Sequence, residues 1–272
     1  MDEVKRIFTF WEPKENIPGY ISLCIETWKK FLPDYEIVIL DYSNLDEWIG
    51  KNYFDRSLYK NFSIAMQADA IRCAMLKKYG GVWLDADTIL LSDKCKEFFN
   101  SDSEFTAVSI HLAFLAAKPN AYVLNLWEKD IRKNIFLYKY VKMFRIHKVF
   151  KKVRQNFSSW NILGNSILNP LVYGLRDNKK YVNYLYSNDV KCFPEQIYMP
   201  DKKIDIIQKY KTFYFENDYS DKALEIPESF IFLHNSWTPE EYKEMSIEEF
   251  MSHKNTLTEV FKKLGVAEIY SR

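Results

Sequence analysis

The sequence lacks the marks of several protein classes. Its four cysteines, Cys24, Cys73, Cys95 and Cys192, form no Cys-x-x-Cys pair or other ligand-like spacing, which argues against a cysteine metal site. At 272 residues a disulfide framework is not expected either, so they read as reduced, buried small residues suited to a cytoplasmic protein. The longest unbroken apolar run, Leu112 to Ala117, is far too short to span a bilayer. The opening MDEVKRIFTFWEP puts acids ahead of its bases and has no small-residue cleavage site, so no signal peptide is expected there. The formal net charge of +1 excludes a nucleic-acid binder driven by bulk charge. Neither an internal repeat nor a low-complexity linker divides the chain, and a single domain over 1–272 is the expectation.

What is present is a folding chain, 47% hydrophobic and 17% aromatic. Val4 to Trp11 reads as a buried first strand. A helix follows, with Ile21, Ile25, Trp28 and Phe31 at helical spacing and Pro33 near its end, and Glu36 to Asp41 is a second strand. SIAMQADAIRCAMLKKYGG is the clearest helix, capped by Ser63 and stopped by Gly80, with Ile64, Ala68, Ile71 and Met75 as its apolar stripe. VWLDAD is read as a third strand, and Phe105 to Ile110 and LAFLAAKP as further strands, before a helix from about Asn120 to Arg132. Strands alternating with helices predict an α/β domain with a largely parallel sheet, whose ligands bind at the carboxyl ends of the strands. FIFL, before His234, reads as a strand that carries this histidine to the same edge.

One segment differs in character. Ile131 to Arg176 holds ten Lys or Arg and no Asp or Glu, leaving the remainder of the chain acidic. Within it Ile135 to Val153 has the pattern of an amphipathic helix, with Phe136, Tyr140, Met143, Phe144 and Phe150 on one side and Lys139, Lys142, Arg145, Lys148 and Lys152 on the other. The segment is expected to meet an anionic membrane surface. A core helix with a solvated basic face is the plainer alternative.

The chemistry concentrates near one strand end. Asp85 and Asp87 are two apart, so in an extended chain they share a face with Trp83. Two close carboxylates repel unless a cation or a proton lies between them, and such oxygen ligands suit Mg²⁺ or Mn²⁺. A strand exit with solvated acids is the simpler alternative. In the preceding helix Asp69 and Arg72 lie three apart, flanked by Ala65 and Leu76, which suggests a partly buried pair.

The stretch SIAMQADAIRCAMLKKYGGVWLDADTIL resembles the signature of sugar-nucleotide glycosyltransferases of GT-A fold. It is most similar to the capsular polysaccharide synthesis glycosyltransferases and the related family-32 sugar transferases with an Asp-x-Asp motif. The matching positions are Asp69, Arg72, Tyr79-Gly80-Gly81, Trp83, Asp85 and Asp87. The resemblance extends over Ile7 to Asp130 and again over FIFLHNSW, Phe230 to Trp237. It implies that Asp87 and His234 hold Mn²⁺ or Mg²⁺, that Asp85 contacts that metal or the donor's ribose, that Trp11 stacks on the donor's uracil, and that Ser236 and Trp237 lie near the phosphates or sugar. Asp69 and Arg72 would bind sugar hydroxyls.

The implied reaction moves a hexose from UDP-glucose or UDP-galactose to a saccharide or lipid-linked oligosaccharide acceptor, with retention, at the cytoplasmic face of a bacterial membrane. The implied layout is a nucleotide-sugar half over 1–130, a basic insertion over 131–176 and an acceptor part over 177–272.

Two other readings compete. VWLDADTIL also fits the haloacid-dehalogenase phosphatase pattern, with Asp85 as nucleophile, Asp87 as acid/base and Thr88 as a positioning residue. That chemistry needs a later Gly-Asp or Asp-Asp pair, and the sequence contains neither. A non-catalytic membrane-surface protein would explain the basic segment but not the intact acidic residues.

Overall fold

The computed structural model describes residues 5–55, 61–99, 101–109, 111–143, 161–186, 190, 205–216 and 229–267. Its strands are β1 (Arg6–Phe10), β2 (Glu36–Leu40), β3 (Gly81–Leu84), β4 (Thr88–Leu90), β5 (Phe105–Val108), β6 (His111–Ala117), β7 (Val182–Leu185) and β8 (Phe230–Phe232). The longer helices are α1 (Gly19–Phe31), α2 (Ile64–Tyr79), α3 (Tyr122–Met143) and α4 (Asn165–Leu175), and a late α5 spans Thr256–Lys263.

The chain forms two compact units that interleave in sequence. One comprises Met1–Lys14, Ile37–Asp85 and Glu97–Leu185; the other comprises Glu15–Glu36, Ala86–Lys96 and Tyr186–Arg272.

The first unit is built on the six-stranded sheet, in the order β2-β1-β3-β6-β5-β7. β1 and β3 are parallel, β6 is antiparallel to both its neighbours, and β5 and β7 are parallel. The sheet is thus mostly parallel and the expected α/β fold is present. Ile7 through Phe10 are all buried, the pattern of a central strand rather than an alternating edge.

Helix α2 packs on β1, β3 and β6, and α3 packs on α2 and α4. Ser63 caps α2 by accepting a hydrogen bond from the Met66 N–H, as expected. The apolar stripe expected through Ile64 and Ala68 is not the buried one. Ile64 is exposed, whereas burial is almost continuous from Met66 to Leu76. A helix covered by a sheet on one side and another helix on the other has little outer face left to keep polar.

Gly80 and Gly81 turn α2 directly into β3. Their φ angles are +66° and +87°, a region only glycine enters at little cost. A Cβ on Gly81 would also lie 2.8 Å from the Arg6 carbonyl oxygen of β1. The strand read as VWLDAD ends at Leu84, and Thr88–Leu90 is a separate strand.

In the second unit β4 pairs with β8 in an antiparallel two-stranded sheet, Thr88 opposite Phe232 and Leu90 opposite Phe230. FIFL is therefore a strand, as expected, but it joins β4 and not the six-stranded sheet. Helix α1 packs on β4. The Trp28 indole N–H donates to the Thr88 carbonyl at 2.7 Å and the Leu90 N–H donates to Thr27 Oγ1 at 2.9 Å. Both bonds are buried and tie α1 to β4. Cys24, Cys73 and Cys95 are buried free thiols, in line with the reduced reading, and Cys192 lies outside the described residues.

Replacing Gly81 with alanine forces a side chain against backbone in a left-handed conformation. It should lower unfolding free energy by about 1–3 kcal/mol in urea denaturation. A variant as stable as wild type would mean that β1 and β3 have room to separate.

Candidate functional site

Strand order places one edge of the first unit at a branch point. β2 lies on one side of β1 and β3 on the other, the strand order at whose carboxyl ends open α/β sheets bind their ligands. Trp11 follows β1 and Asp85 follows β3, and the two strands run the same way with Ile7 opposite Val82 and Phe8 opposite Trp83. Trp11 is half-buried, its N–H donating to the Leu40 carbonyl at 2.9 Å.

Asp69, Arg72 and Asp85 converge at this edge. Arg72 donates to Asp85 Oδ1 at 2.9 Å and lies 3.5 Å from Asp69 Oδ1. Its other amino group donates to the Leu112 carbonyl at 2.5 Å, and its guanidinium sits 5.1 Å from the centre of the Trp83 ring. The Trp83 indole N–H donates to Asp85 Oδ1 at 2.8 Å, which confirms that Trp83 and Asp85 share a face. Asp69 and Arg72 are each only 5% exposed, a buried pair as their apolar flanks predict. Arg72 Nε is buried with no hydrogen-bond partner among the described residues. Buried unpaired donors are uncommon and concentrate where a ligand completes the set.

The wall opposite Asp69 comes from a loop that the sequence did not single out. The Trp127 indole N–H donates to the Leu163 carbonyl at 2.7 Å, and the Asn134 amide donates to the Ile162 carbonyl at 3.0 Å. These bonds hold the chain entering α4 against α3 and bring Gly164 onto the carboxylate. A Cβ on Gly164 would fall 2.1 Å from Asp69 Oδ2, so no larger residue fits without displacing Asp69. Burial pushes the Asp69 carboxyl up to about 7; Arg72 opposes the rise and the charge of Asp85 adds to it.

The unit boundary falls between Asp85 and Ala86, and Asp87 belongs to the second unit. There the β4–β8 pairing continues past the strands. The Leu233 N–H donates to the Asp87 carbonyl at 3.1 Å, and the Asn235 N–H donates to Asp87 Oδ2 at 2.8 Å. His234 is half-buried and packed against Trp237 with ring centres 4.0 Å apart, and its backbone N–H donates to the Tyr210 hydroxyl at 3.1 Å. Ser236 is exposed and Trp237 half-buried. Sequence reasoning missed Tyr20, whose buried hydroxyl donates to Asn235 Oδ1. Asn235 itself stands inside the quoted HNSW, so adjacency to His234 was its one signal.

Among the described residues no three His, Cys, Asp or Glu side chains are gathered as a metal cluster. The donor set still suits a hard cation that brings other oxygens with it. Both bonds to Asp85 fall on Oδ1, and its side chain is 32% exposed, which leaves Oδ2 for a further ligand.

The family described as "Capsular polysaccharide synthesis protein" matches residues 1–269. No curated protein matches the chain. Among solved structures, the PaToxG glycosyltransferase is 19% identical with a TM-score of 0.39, covering 62% of this chain and 68% of its own. The apo-form glycosyltransferase GlyE of Streptococcus pneumoniae TIGR4 is 14% identical with a TM-score of 0.40, covering 97% of this chain and 64% of its own.

The raised Asp69 pKa makes a stability prediction. Between the ordinary 3.8 and about 7 the folded chain keeps a proton on Asp69 that the unfolded chain has released. The stability this residue confers therefore declines as pH rises through that window and levels off above it. In urea titrations across the window, Asp69→Asn should gain on wild type as pH rises. A gap between the two that is constant with pH would show that Asp69 stays ionised throughout.

Proposed function

We infer the reaction from one premise: the chain belongs to the capsular polysaccharide synthesis protein family. It is a glycosyltransferase that moves a hexose from a nucleotide-diphosphate sugar, UDP-glucose or UDP-galactose, to a saccharide or lipid-linked oligosaccharide acceptor. The family membership displaces the phosphatase reading of the same acids. The observation that carries the proposal is the buried Asp69–Arg72 pair joined to the partly exposed Asp85 at the carboxyl end of β3.

Trp11 stacks on the uracil at that edge. Arg72, whose hydrogen-bonding capacity is not filled by protein, and Asp69 grip sugar hydroxyls and select the hexose. Asp85 and Asp87, with His234, hold Mn²⁺ or Mg²⁺, and Ser236 and Trp237 border the phosphates. A bound cation supplies charge neutralisation for the departing nucleotide diphosphate. The protein's share is to orient the donor so that the anomeric carbon can pass through an oxocarbenium-like state, with Asp69 and Arg72 holding the ring while the bond breaks. Retention is the stereochemical outcome that the family resemblance favours, and no residue here is assigned as a nucleophile.

Asp87→Asn keeps the side chain's size and removes its charge. Donor hydrolysis by this variant should fall by about 10²–10³-fold while the fold survives. EDTA should silence the wild type and added Mn²⁺ should restore it; full activity in EDTA would refute the metal-dependent reaction.

The basic segment gives the enzyme its place of work, the cytoplasmic face of a bacterial membrane where lipid-linked acceptors lie. Helix α3 extends past the expected Arg132 to Met143. Ile131 and Ile135 are buried, but Phe136 is 54% exposed, and Leu137 and Tyr140 are exposed beside it with Lys133 and Lys139. An outward stripe that is both aromatic and cationic, in a stretch without acids, complements an anionic lipid surface. Residues 144–160, including Phe144, Lys148 and Phe150, lie outside the described residues. Among the described residues no helix is long and apolar enough to cross a membrane. The protein should cosediment with anionic liposomes at low salt, and Phe136→Ser with Tyr140→Ser should weaken that binding. Equal binding to neutral and anionic vesicles would remove the electrostatic argument.

A further inference from the structure

The position of Asp87 is fixed by a relay that starts far away in sequence. Tyr20 is the second residue of α1 and is fully buried. Its backbone is held firmly: the preceding Gly19 N–H donates to the Met245 carbonyl at 2.9 Å, and a Cβ on Gly19 would lie 2.5–2.6 Å from the Ser246 and Ile247 backbone. Only glycine permits that approach. The Tyr20 ring packs against Phe250, 6.0 Å between centres. From this anchored ring the hydroxyl donates to the side-chain carbonyl of Asn235, and the backbone N–H of the same Asn235 donates to Asp87 Oδ2. Burial, with the negative charge of Asp87, raises the Tyr20 phenol well above its ordinary range, so the hydroxyl stays a donor at any working pH.

We propose that Tyr20 is a positioning residue for Asp87, acting through Asn235. The side chain of Asn235 is gripped from one side so that its backbone N–H is presented to the carboxylate from the other. Residues Asn235–Trp237 form a single short 3-10 turn, too short to hold its own orientation without such an anchor. Neither partner touches donor or acceptor in this scheme. Their effect is to hold one carboxylate oxygen in place and so fix the direction in which the other faces its ligand. Hydrogen bonds of this outer kind tune a ligating carboxylate as strongly as many direct contacts do. The inference rests on the proposed role of Asp87 as a working carboxylate.

Tyr20→Phe removes one oxygen and leaves the ring in its packing. The test pairs donor turnover with the ¹⁵N-resolved amide resonance of residue 235, which reports the bond to Asp87 without requiring metal or donor. In Asp87→Asn that amide should move upfield as its charged acceptor is lost. Tyr20→Phe should move it in the same direction and cut turnover by about 10-fold or more, with the donor KM little changed. Adding Tyr20→Phe to Asp87→Asn should cost nothing further. Should Tyr20→Phe not fold, Asn235→Ala removes the group that Tyr20 grips and should displace the same amide. An amide resonance and a turnover both at wild-type values in a folded Tyr20→Phe overturn the proposal. If Asp87→Asn itself keeps full turnover, the role assigned to Asp87 fails instead, and the amide shift alone decides whether the relay exists.

Discussion

Arg72 is a guanidinium taken out of water, and the first unit is arranged to pair its two amino groups while its Nε is left without a partner among the described residues. Its two amino groups reach a helix neighbour, a strand-end carboxylate and a backbone carbonyl of β6, while the plane lies near Trp83. Removing any one partner would leave a buried charge short of a bond, which is far more costly than losing a surface pair. The positions of α2, β3 and β6 relative to one another are thereby coupled. Asp85 is held because Arg72 needs it as much as because a ligand does.

The two acids of the motif have the same chemistry and opposite supports. Asp85 faces a cation and an indole N–H, both from side chains within its own unit. Asp87 faces a backbone N–H, a neutral donor whose direction depends on a turn. A carboxylate paired with arginine has part of its charge balanced by that cation, whereas a backbone N–H offers a hydrogen bond without a compensating full charge. This asymmetry divides the pair into one residue turned toward Arg72 and Trp83 and one turned toward the Asn235 turn.

Much of this could be read from the residues in order. Ser63 announced the start of α2 and Gly80 its end, because caps and left-handed stops are local and depend on single side chains. The spacing of Asp69 and Arg72 placed them on one helical stripe, and that too is local. What stayed hidden depends on pairing at long range. FIFL had the composition of a strand, but nothing in it says that its partner is Thr88–Leu90 and not the large sheet. Gly164 is unremarkable until Trp127 and Asn134 are seen to deliver it to Asp69. Nothing in the order of residues marks Tyr20, and its hydroxyl acquires meaning only once Asn235 is beside it.

The relay behind Asp87 also bears on how the protein comes into being. Arg72 and the Leu112 carbonyl are 40 residues apart, so the surroundings of Asp85 are available to a half-made chain. Asp87 and Asn235 are separated by 148 residues, and Tyr20 and Asn235 by 215. During synthesis, which proceeds from the N-terminus at several residues per second, β4 must wait for β8 before its backbone is paired. A nascent or truncated chain ending before residue 230 would expose the Thr88–Leu90 edge and a carboxylate without its turn. It would be open to non-native strand pairing, so the pairing of β4 with β8 and the acquisition of the second acid's geometry go together.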